Sequence, residues 1–228
     1  MILKAVLTDL DGVLLDSFRA GLRKIQMLCA LHDVSFGRDT RTQLFNAWGL
    51  PGIELLQQCL GINQKLAERM YADWEKLDKS LPPPLVLGAR EMLIWLRRNG
   101  LKSALITSRH RENLLQILDE LDLTREFVVI TGKEDCPYHK PDPRVFRFAL
   151  EYLESLGIEK SNCIFIGDTP SDTVAGQVAG LETLVVQTGP YMIEHIEKYP
   201  MKLGNVLRSI DDLSFWIEKN HEGELSYF

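Results

Sequence analysis

No stretch of this 228-residue sequence is apolar over the roughly 20 residues that a membrane-spanning helix requires. Cationic runs are missing too. With a net charge of −6 and its Lys and Arg scattered, the chain has nothing to displace counterions from a nucleic acid or to dock on an anionic bilayer, so neither partner is expected. Cysteine is scarce: Cys29, Cys59, Cys136 and Cys163 are widely separated, with no Cys-x-x-Cys and no His pair at ligand spacing. They read as reduced core or loop thiols. The opening Met1-Ile2-Leu3-Lys4 lacks a basic segment followed by a long apolar stretch, so the expected location is the cytoplasm. Internal repeats and low-complexity segments are absent as well. What remains, at 45% hydrophobic residues, can bury a sizeable core in one large domain or two smaller ones.

The most telling residues come first. Residues 2–7 are almost wholly apolar, as in a strand buried on both faces, and Asp9 and Asp11 emerge two residues apart where that strand ends. Ligands of open α/β sheets gather at such carboxyl ends, and paired carboxylates there call for a cation. A surface turn is the plain alternative, because Asp11-Gly12 is a common turn pair. A calcium loop of the EF-hand kind is excluded: its glycine belongs at the sixth position, whereas Gly12 is fourth counted from Asp9.

From residue 17 to about 80 the apolar spacing is helical, carried by Leu22, Ile25, Met27, Leu28 and Leu31, by Leu44, Phe45 and Trp48, by 53–60, and by Leu66, Met70, Trp74 and Leu77. Gly49-Leu50-Pro51-Gly52 and Gly61-Ile62-Asn63 separate these helices, and the stiff Leu81-Pro82-Pro83-Pro84 closes the block. The pattern predicts a helical bundle over 17–83, inserted into an α/β domain formed by 1–16 and 84–228. Beyond it, helix and strand alternate: helix 90–98, strand 101–106, helix 112–121, strand 127–130, helix 143–156, strand 163–166, helix 172–179 and strand 183–186. Such alternation makes a Rossmann-like parallel sheet with helices on both faces. The tail from Met192 reads as a helix, a Gly204-Asn205 turn and the segment 210–217, without chemistry of its own.

Three further strand ends carry reactive groups. Leu105-Ile106-Thr107-Ser108-Arg109 offers hydroxyls and backbone N–H groups between which a phosphate would fit. His139-Lys140-Pro141-Asp142-Pro143, after Gly132-Lys133, fixes Lys140 in a loop that starts the next helix. Ile164-Phe165-Ile166-Gly167-Asp168-Thr169-Pro170-Ser171-Asp172 repeats the arrangement of apolar strand and acidic loop. Singly, each has an ordinary explanation: Thr107 and Ser108 could cap the helix near Arg111, Lys140 could be solvated, and Asp172 could cap the helix through Ala179. Their joint order at four strand mouths argues for chemistry.

In that order, and across nearly the whole chain, these residues resemble the four motifs of the haloacid dehalogenase superfamily. The resemblance implies that Asp9 is the nucleophile and Asp11 the general acid/base. It implies that Thr107 or Ser108 holds phosphate, with Arg109 and Gly12 beside it, and that Lys140 bridges nucleophile and phosphate. Mg²⁺ would be held by Asp9, Asp11 and Asp168, with Asp172 in support, and the helical insertion would be a cap that closes over substrate. Trp48-Gly49-Leu50-Pro51 followed by Glu54-Leu55-Leu56, with Gly167 to Asp172, resembles the phosphoglycolate-phosphatase-like branch. The function so implied is magnesium-dependent hydrolysis of a small organic phosphomonoester, such as 2-phosphoglycolate, by a monomer or homodimer.

Elementary chemistry asks for the same set. A carboxylate attacking a phosphate dianion meets like charge, about 1 kcal/mol per unit pair at 4 Å in water and several times more in a drier site. Mg²⁺ prefers a few carboxylates and a phosphate oxygen, which Asp9, the Asp11 carbonyl and Asp168 could supply, while Lys140 and N–H groups near Ser108 add further positive potential. Asp11 would protonate the leaving oxygen and then take a proton from water, so it should be poised neutral before the first step. The second aspartate disfavours dehalogenation, and the absence of lysine between Lys24 and Lys65 leaves the Schiff-base role of a phosphonate hydrolase unfilled. The family's hexose-phosphate mutases carry Glu-Asp where this chain has Gly167-Asp168. Pyrophosphatase, nucleotidase and sugar-phosphate activities stay open, as does a regulatory binding protein that keeps the fold. Arg38 and Arg41 could meet a substrate carboxylate or second phosphate, or be a solvated helix end.

Overall fold

The computed structural model describes residues 2–48, 50–190 and 202–221. The chain divides into two compact units, residues 16–84 and the remainder on either side of them.

The larger unit is built on a parallel six-stranded sheet: β1 (Ala5–Thr8), β2 (Lys102–Ile106), β3 (Phe127–Thr131), β4 (Cys163–Gly167), β5 (Glu182–Val186) and β6 (Val206–Leu207), in the order β3-β2-β1-β4-β5-β6. The strands are nearly all apolar because both faces are covered. On one face Val6, Leu105, Ile164, Ile166, Leu184 and Val186 pack against α5 (Ala89–Arg98), α6 (Arg111–Glu120) and the final helix, α9 (Leu213–Asn220). On the other, Leu7, Ile106, Val129 and Phe165 pack against α7 (Arg147–Ser155) and α8 (Pro170–Val178). Strand alternation thus sends Leu7 to the α7/α8 side. Because β1 lies between β2 and β4, connections leave its two sides in opposite directions, and the strand order switches beside its carboxyl end, next to Asp9.

Two helix starts and one strand depart from the sequence expectation for physical reasons. The helix expected from 172 begins at Pro170, since proline suits the first helical position and Thr169 serves as its N-cap. The helix expected over 143–156 opens as a 3-10 turn, Pro143–Phe146, whose N-cap Asp142 accepts from the Arg144 N–H at 2.9 Å. Strand β6 was not foreseen: two residues are too few to show a period, and it forms only by pairing Val206 with Val185. The helix expected from Met192 lies outside the described residues as far as 201.

The smaller unit is helical: α1 (Ser17–Leu31), α2 (Arg38–Ala47), α3 (Gly52–Leu60) and α4 (Gln64–Ser80). Its own core joins Ile25, Leu28, Leu44, Leu56 and Met70. The helix borders follow from turn chemistry. Gly61 takes the left-handed conformation at the end of α3 (φ 64°), and Asn63 caps α4 by accepting from the Leu66 N–H at 3.0 Å. Lys24 is buried and paired with Asp78, to which the Trp74 indole N–H also donates at 3.2 Å. No helix among the described residues is long and apolar enough to cross a membrane.

Candidate active site

Asp9 directly follows β1, and burial leaves it only 7% exposed. Its Oδ1 accepts the Leu10 N–H at 2.7 Å, and its Oδ2 accepts from Lys140 Nζ at 2.6 Å. Lys140 is held between two acids, since its Nζ also lies 2.6 Å from Asp172 Oδ1. Desolvation, reinforced by Asp172 and Asp11 and opposed by Lys140, pushes the Asp9 carboxyl up to about 7. Burial alone would pull the Lys140 ammonium down, but Asp172 and Asp9 outweigh it and hold the group above the usual lysine range. The side chain is therefore a fixed positive charge at the nucleophile candidate. Its position comes from the loop before the 3-10 turn, where the Lys140–Pro141 peptide bond is cis.

Asp172 is hydrogen-bonded through Oδ2, while its buried Oδ1 has the Lys140 ion pair but no well-aligned hydrogen bond. Its Oδ2 accepts the Thr169 N–H at 3.0 Å, the Asp168 N–H at 3.3 Å and the Thr169 hydroxyl at 2.5 Å, while Oδ1 faces Lys140. Thr169 Oγ1 in return accepts the Asp172 N–H at 3.3 Å, closing a capping box at the start of α8. Gly167 belongs to the same arrangement, because a Cβ there would lie 2.3 Å from the Asp172 Cβ.

Asp168 is different. It is 2% exposed, yet no described hydrogen-bond donor meets its carboxylate, and burial, then Asp172 and Asp9, raise its pKa well above the ordinary range. Carboxylate oxygens of Asp9, Asp168 and Asp172 lie within 4.8 Å of one another. Hard oxygen donors around a buried carboxylate without a counter-charge of its own fit a small divalent cation. Asp9 and Asp168 are the direct candidates, and Asp172 orders the loop and Lys140.

Three of the residues expected to handle phosphate or protons are engaged with one another or with the backbone. Arg109 grips Asp11 with both arms, Nε to Oδ2 at 2.7 Å and Nη2 to Oδ1 at 2.6 Å, and its Nη1 donates to Asn113 Oδ1 at 2.9 Å. Asp11 was expected to stand neutral before the first step; here both of its oxygens accept from the Arg109 guanidinium. Arg109 accordingly does not point to phosphate in this state, and only the main-chain carbonyl of Asp11 would be left for a metal. Gly12, expected near phosphate, spends its N–H on the Leu15 carbonyl at 2.8 Å and turns its Cα to Asp168 at φ 74°. Thr107 is buried and its hydroxyl accepts the Arg109 N–H at 3.3 Å, whereas Ser108 is exposed at the mouth of β2. The hydroxyls of Thr107 and Ser108 thus take different positions at one strand end.

Asn113, Thr188 and Gly189 did not figure among the expected residues. Thr188 Oγ1 donates to the Gly12 carbonyl at 2.5 Å, and Gly189 faces Asp168. The available signal was positional: Thr188-Gly189 stands just beyond β5, as Asp11-Gly12 does beyond β1.

The chain matches the model of the haloacid dehalogenase-like hydrolases over residues 6–186. It is 31% identical over 224 residues to a phosphoglycolate phosphatase of Pseudomonas syringae pv. tomato, covering 92% of this chain and 77% of the relative. A second phosphoglycolate phosphatase, from Pseudomonas aeruginosa, is 30% identical over 202 residues and shares 82% of this chain with 70% of its own length. The fold is similar to that of a HAD-superfamily hydrolase of subfamily IA from Geobacter sulfurreducens, with a TM-score of 0.69 at 21% identity over 94% of this chain and 96% of that one. A hydrolase from Pseudomonas syringae has the same TM-score of 0.69, at 23% identity over 95% and 98%. The strand-end acids, the buried lysine and the match through all four segments lead to one assignment: the chain belongs to the haloacid dehalogenase-like hydrolases.

Proposed function

We propose that this chain is a magnesium-dependent phosphatase that hydrolyses a small organic phosphomonoester through an aspartyl-phosphate at Asp9, with 2-phosphoglycolate as its substrate. The observation that carries the reading is the Asp9–Lys140–Asp172 ion-pair chain beside the ungripped carboxylate of Asp168. That arrangement supports a nucleophile, a fixed cation and a metal position at one strand switch point. Phosphatase chemistry fits an acid pair at β1, and the substrate is suggested by the two phosphoglycolate phosphatases to which the chain is 30–31% identical.

In this reading Asp9 and Asp168 would hold Mg²⁺, with the Asp11 carbonyl, and the bound ion would offset the charge of phosphate and polarise its oxygens. Lys140 fixes the orientation of Asp9 by holding Oδ2, and its charge lowers the repulsion between carboxylate and phosphate. Asp9 attacks phosphorus, the bond to the leaving oxygen breaks, and that oxygen takes a proton from Asp11. Water then attacks the aspartyl-phosphate, gives its proton to Asp11, and phosphate leaves with Asp9 regenerated. For Asp11 to carry a proton, Arg109 must loosen its grip, and an incoming phosphate is the competing anion for that guanidinium. Ser108, exposed just beyond β2, and its N–H would receive the remaining phosphate oxygens. At the position where the family's mutases carry Glu, Gly167 has no room for a side chain next to Asp172, which favours hydrolysis.

The test is phosphate release from a panel of metabolite phosphates, with and without Mg²⁺. Preferential, Mg²⁺-dependent turnover of 2-phosphoglycolate supports the reading. Preference for pyrophosphate or a nucleotide, or turnover unaffected by chelator, overturns the substrate or the metal assignment respectively. A relative from Caldanaerobacter subterraneus subsp. tengcongensis, 26% identical over 199 residues and provisionally assigned to pyrophosphate hydrolysis, makes pyrophosphate a necessary member of the panel.

A further inference from the structure

Three acids meet at this site, and they are aimed by different means. Asp9 is held by the Leu10 N–H and Lys140, and Asp172 by Thr169 and Lys140. Asp168 has no such donor among the described residues. A free carboxylate on a two-torsion side chain would sample its staggered rotamers unless something blocks them. Two glycines do so. A Cβ built on Gly12 would lie 1.8 Å from Asp168 Oδ2 and 2.4 Å from its Cγ. A Cβ built on Gly189 would lie 1.8 Å from the same Oδ2 and 2.6 Å from the Cγ. The carboxylate therefore stands in a slot whose walls are bare backbone, one from the turn after β1 and one from the turn after β5. The walls are tied together by the Thr188 hydroxyl, which donates to the Gly12 carbonyl at 2.5 Å.

We propose that Thr188 and Gly189 are positioning residues for the metal: they form the second wall of a slot that aims the Asp168 carboxylate at the divalent-cation position beside Asp9. The inference rests on the metal-dependent reading above and extends it to a loop that carries no charge. A side chain at 189 must displace the carboxylate, because all three nearest atoms, Oδ2, Cγ and Cβ at 1.8, 2.6 and 2.7 Å, belong to the short Asp168 side chain. Loss of the Thr188 hydroxyl leaves each wall in place but unties them. The slot is specific in shape and not in charge, so its loss should weaken the cation without removing a ligand.

The experiment is a Mg²⁺ titration of the metal-stripped full-length protein, without substrate, followed by calorimetry. Gly189→Ala should raise the Mg²⁺ Kd at least tenfold and Thr188→Val severalfold, whereas Thr188→Ser, which keeps the hydroxyl, should bind as the wild type does. Circular dichroism and the metal-free Tm check that the variants are folded. If Gly189→Ala does not fold, the Thr188→Val and Thr188→Ser pair decides the matter alone. Wild-type Mg²⁺ binding with Thr188→Val and a folded Gly189→Ala both within twofold overturns the slot and leaves the metal reading standing. A wild type that binds no Mg²⁺ overturns both.

Discussion

Asp9 sits where burial disfavours its charge more than the neighbouring Lys140 favours it. Its carboxyl is raised from the ordinary 3.8 to about 7, first by burial, so in the metal-free protein the unfolded chain gives up this proton at lower pH than the folded one. Stability must then fall as pH rises from about 4 to about 7, the reverse of the usual aspartate, because the folded state binds more protons across that window. Asp9→Asn removes the titration. In chelator the variant should therefore melt above the wild type, by a margin that widens between pH 4 and pH 7, while its phosphatase turnover is nearly abolished. Thermal scans at several pH values check the first expectation and stopped phosphate assays the second. A wild type that melts at the same temperature as Asp9→Asn across the whole window would contradict the burial argument.

Arg109 gives a second expectation at this scale. Its fork holds Asp11 bidentately, a geometry that a lysine ammonium cannot copy. Arg109→Lys should lower kcat on the order of tenfold or more if Asp11 is the proton donor proposed above, since loss of orientation there is costly even when charge is kept. The loss should be larger for alkyl than for aryl phosphates, whose leaving groups need little protonation. Equal losses for both would move Arg109 from the support of Asp11 to phosphate binding. The acids themselves were legible in the sequence because each stands at the end of an apolar run. The Arg109–Asp11 pairing was not, since 98 residues separate the partners and nothing local marks either for the other. Thr188 and Gly189 were hidden for another reason: a neutral hydroxyl and a glycine announce a turn, and their value lies in what they leave empty.

The same contrast holds for elements. Strands β1, β2 and β4 are visible because two-sided burial makes them mostly apolar, and α5 and α6 by their apolar stripes. Element ends depend on partners that periodicity does not register, as with Thr169 and Pro170 at α8, and β6 exists only through its pairing with β5. The turns after β2 and β3 show how such ends are tied. Glu134 accepts the Arg111 N–H at 2.7 Å at the start of α6 and faces His110 Nδ1 at 2.5 Å, and these bonds pull its carboxyl down to about 2. A depressed folded-state pKa contributes stability above the unfolded value of 4.5, and that stability is lost as pH falls toward about 2. Glu134→Gln should accordingly lower Tm at pH 7, with the gap to the wild type closing between pH 4.5 and pH 2. A gap that stays constant over that window would mean that packing, and not the charge, ties the two turns together.

At the scale of the whole molecule, the division into two units separates two kinds of work. The groups that would handle phosphate and metal, Asp9, Asp11, Ser108, Lys140 and Asp168, all belong to the sheet-based unit. In that role they would recognise what every phosphomonoester shares, and could not by themselves tell one organic phosphate from another. The helical unit has its own core and can vary its exposed side chains without disturbing the sheet. Arg38 and Arg41 are exposed at the start of α2 and are the cations there best suited to a substrate carboxylate. If Arg41 meets that carboxylate, Arg41→Ala should raise KM for 2-phosphoglycolate about tenfold, the scale of one exposed charge-assisted contact, while turnover of an uncharged aryl phosphate stays nearly as it was. Steady-state kinetics on both substrates separate this from a general loss: a parallel fall in kcat/KM would place the defect in folding or in the common chemistry. Unchanged KM for the carboxylated substrate in Arg41→Ala and in Arg38→Ala would remove both arginines from recognition, and selectivity would then have to come from other residues of the helical unit or from Arg109 on the sheet-based one.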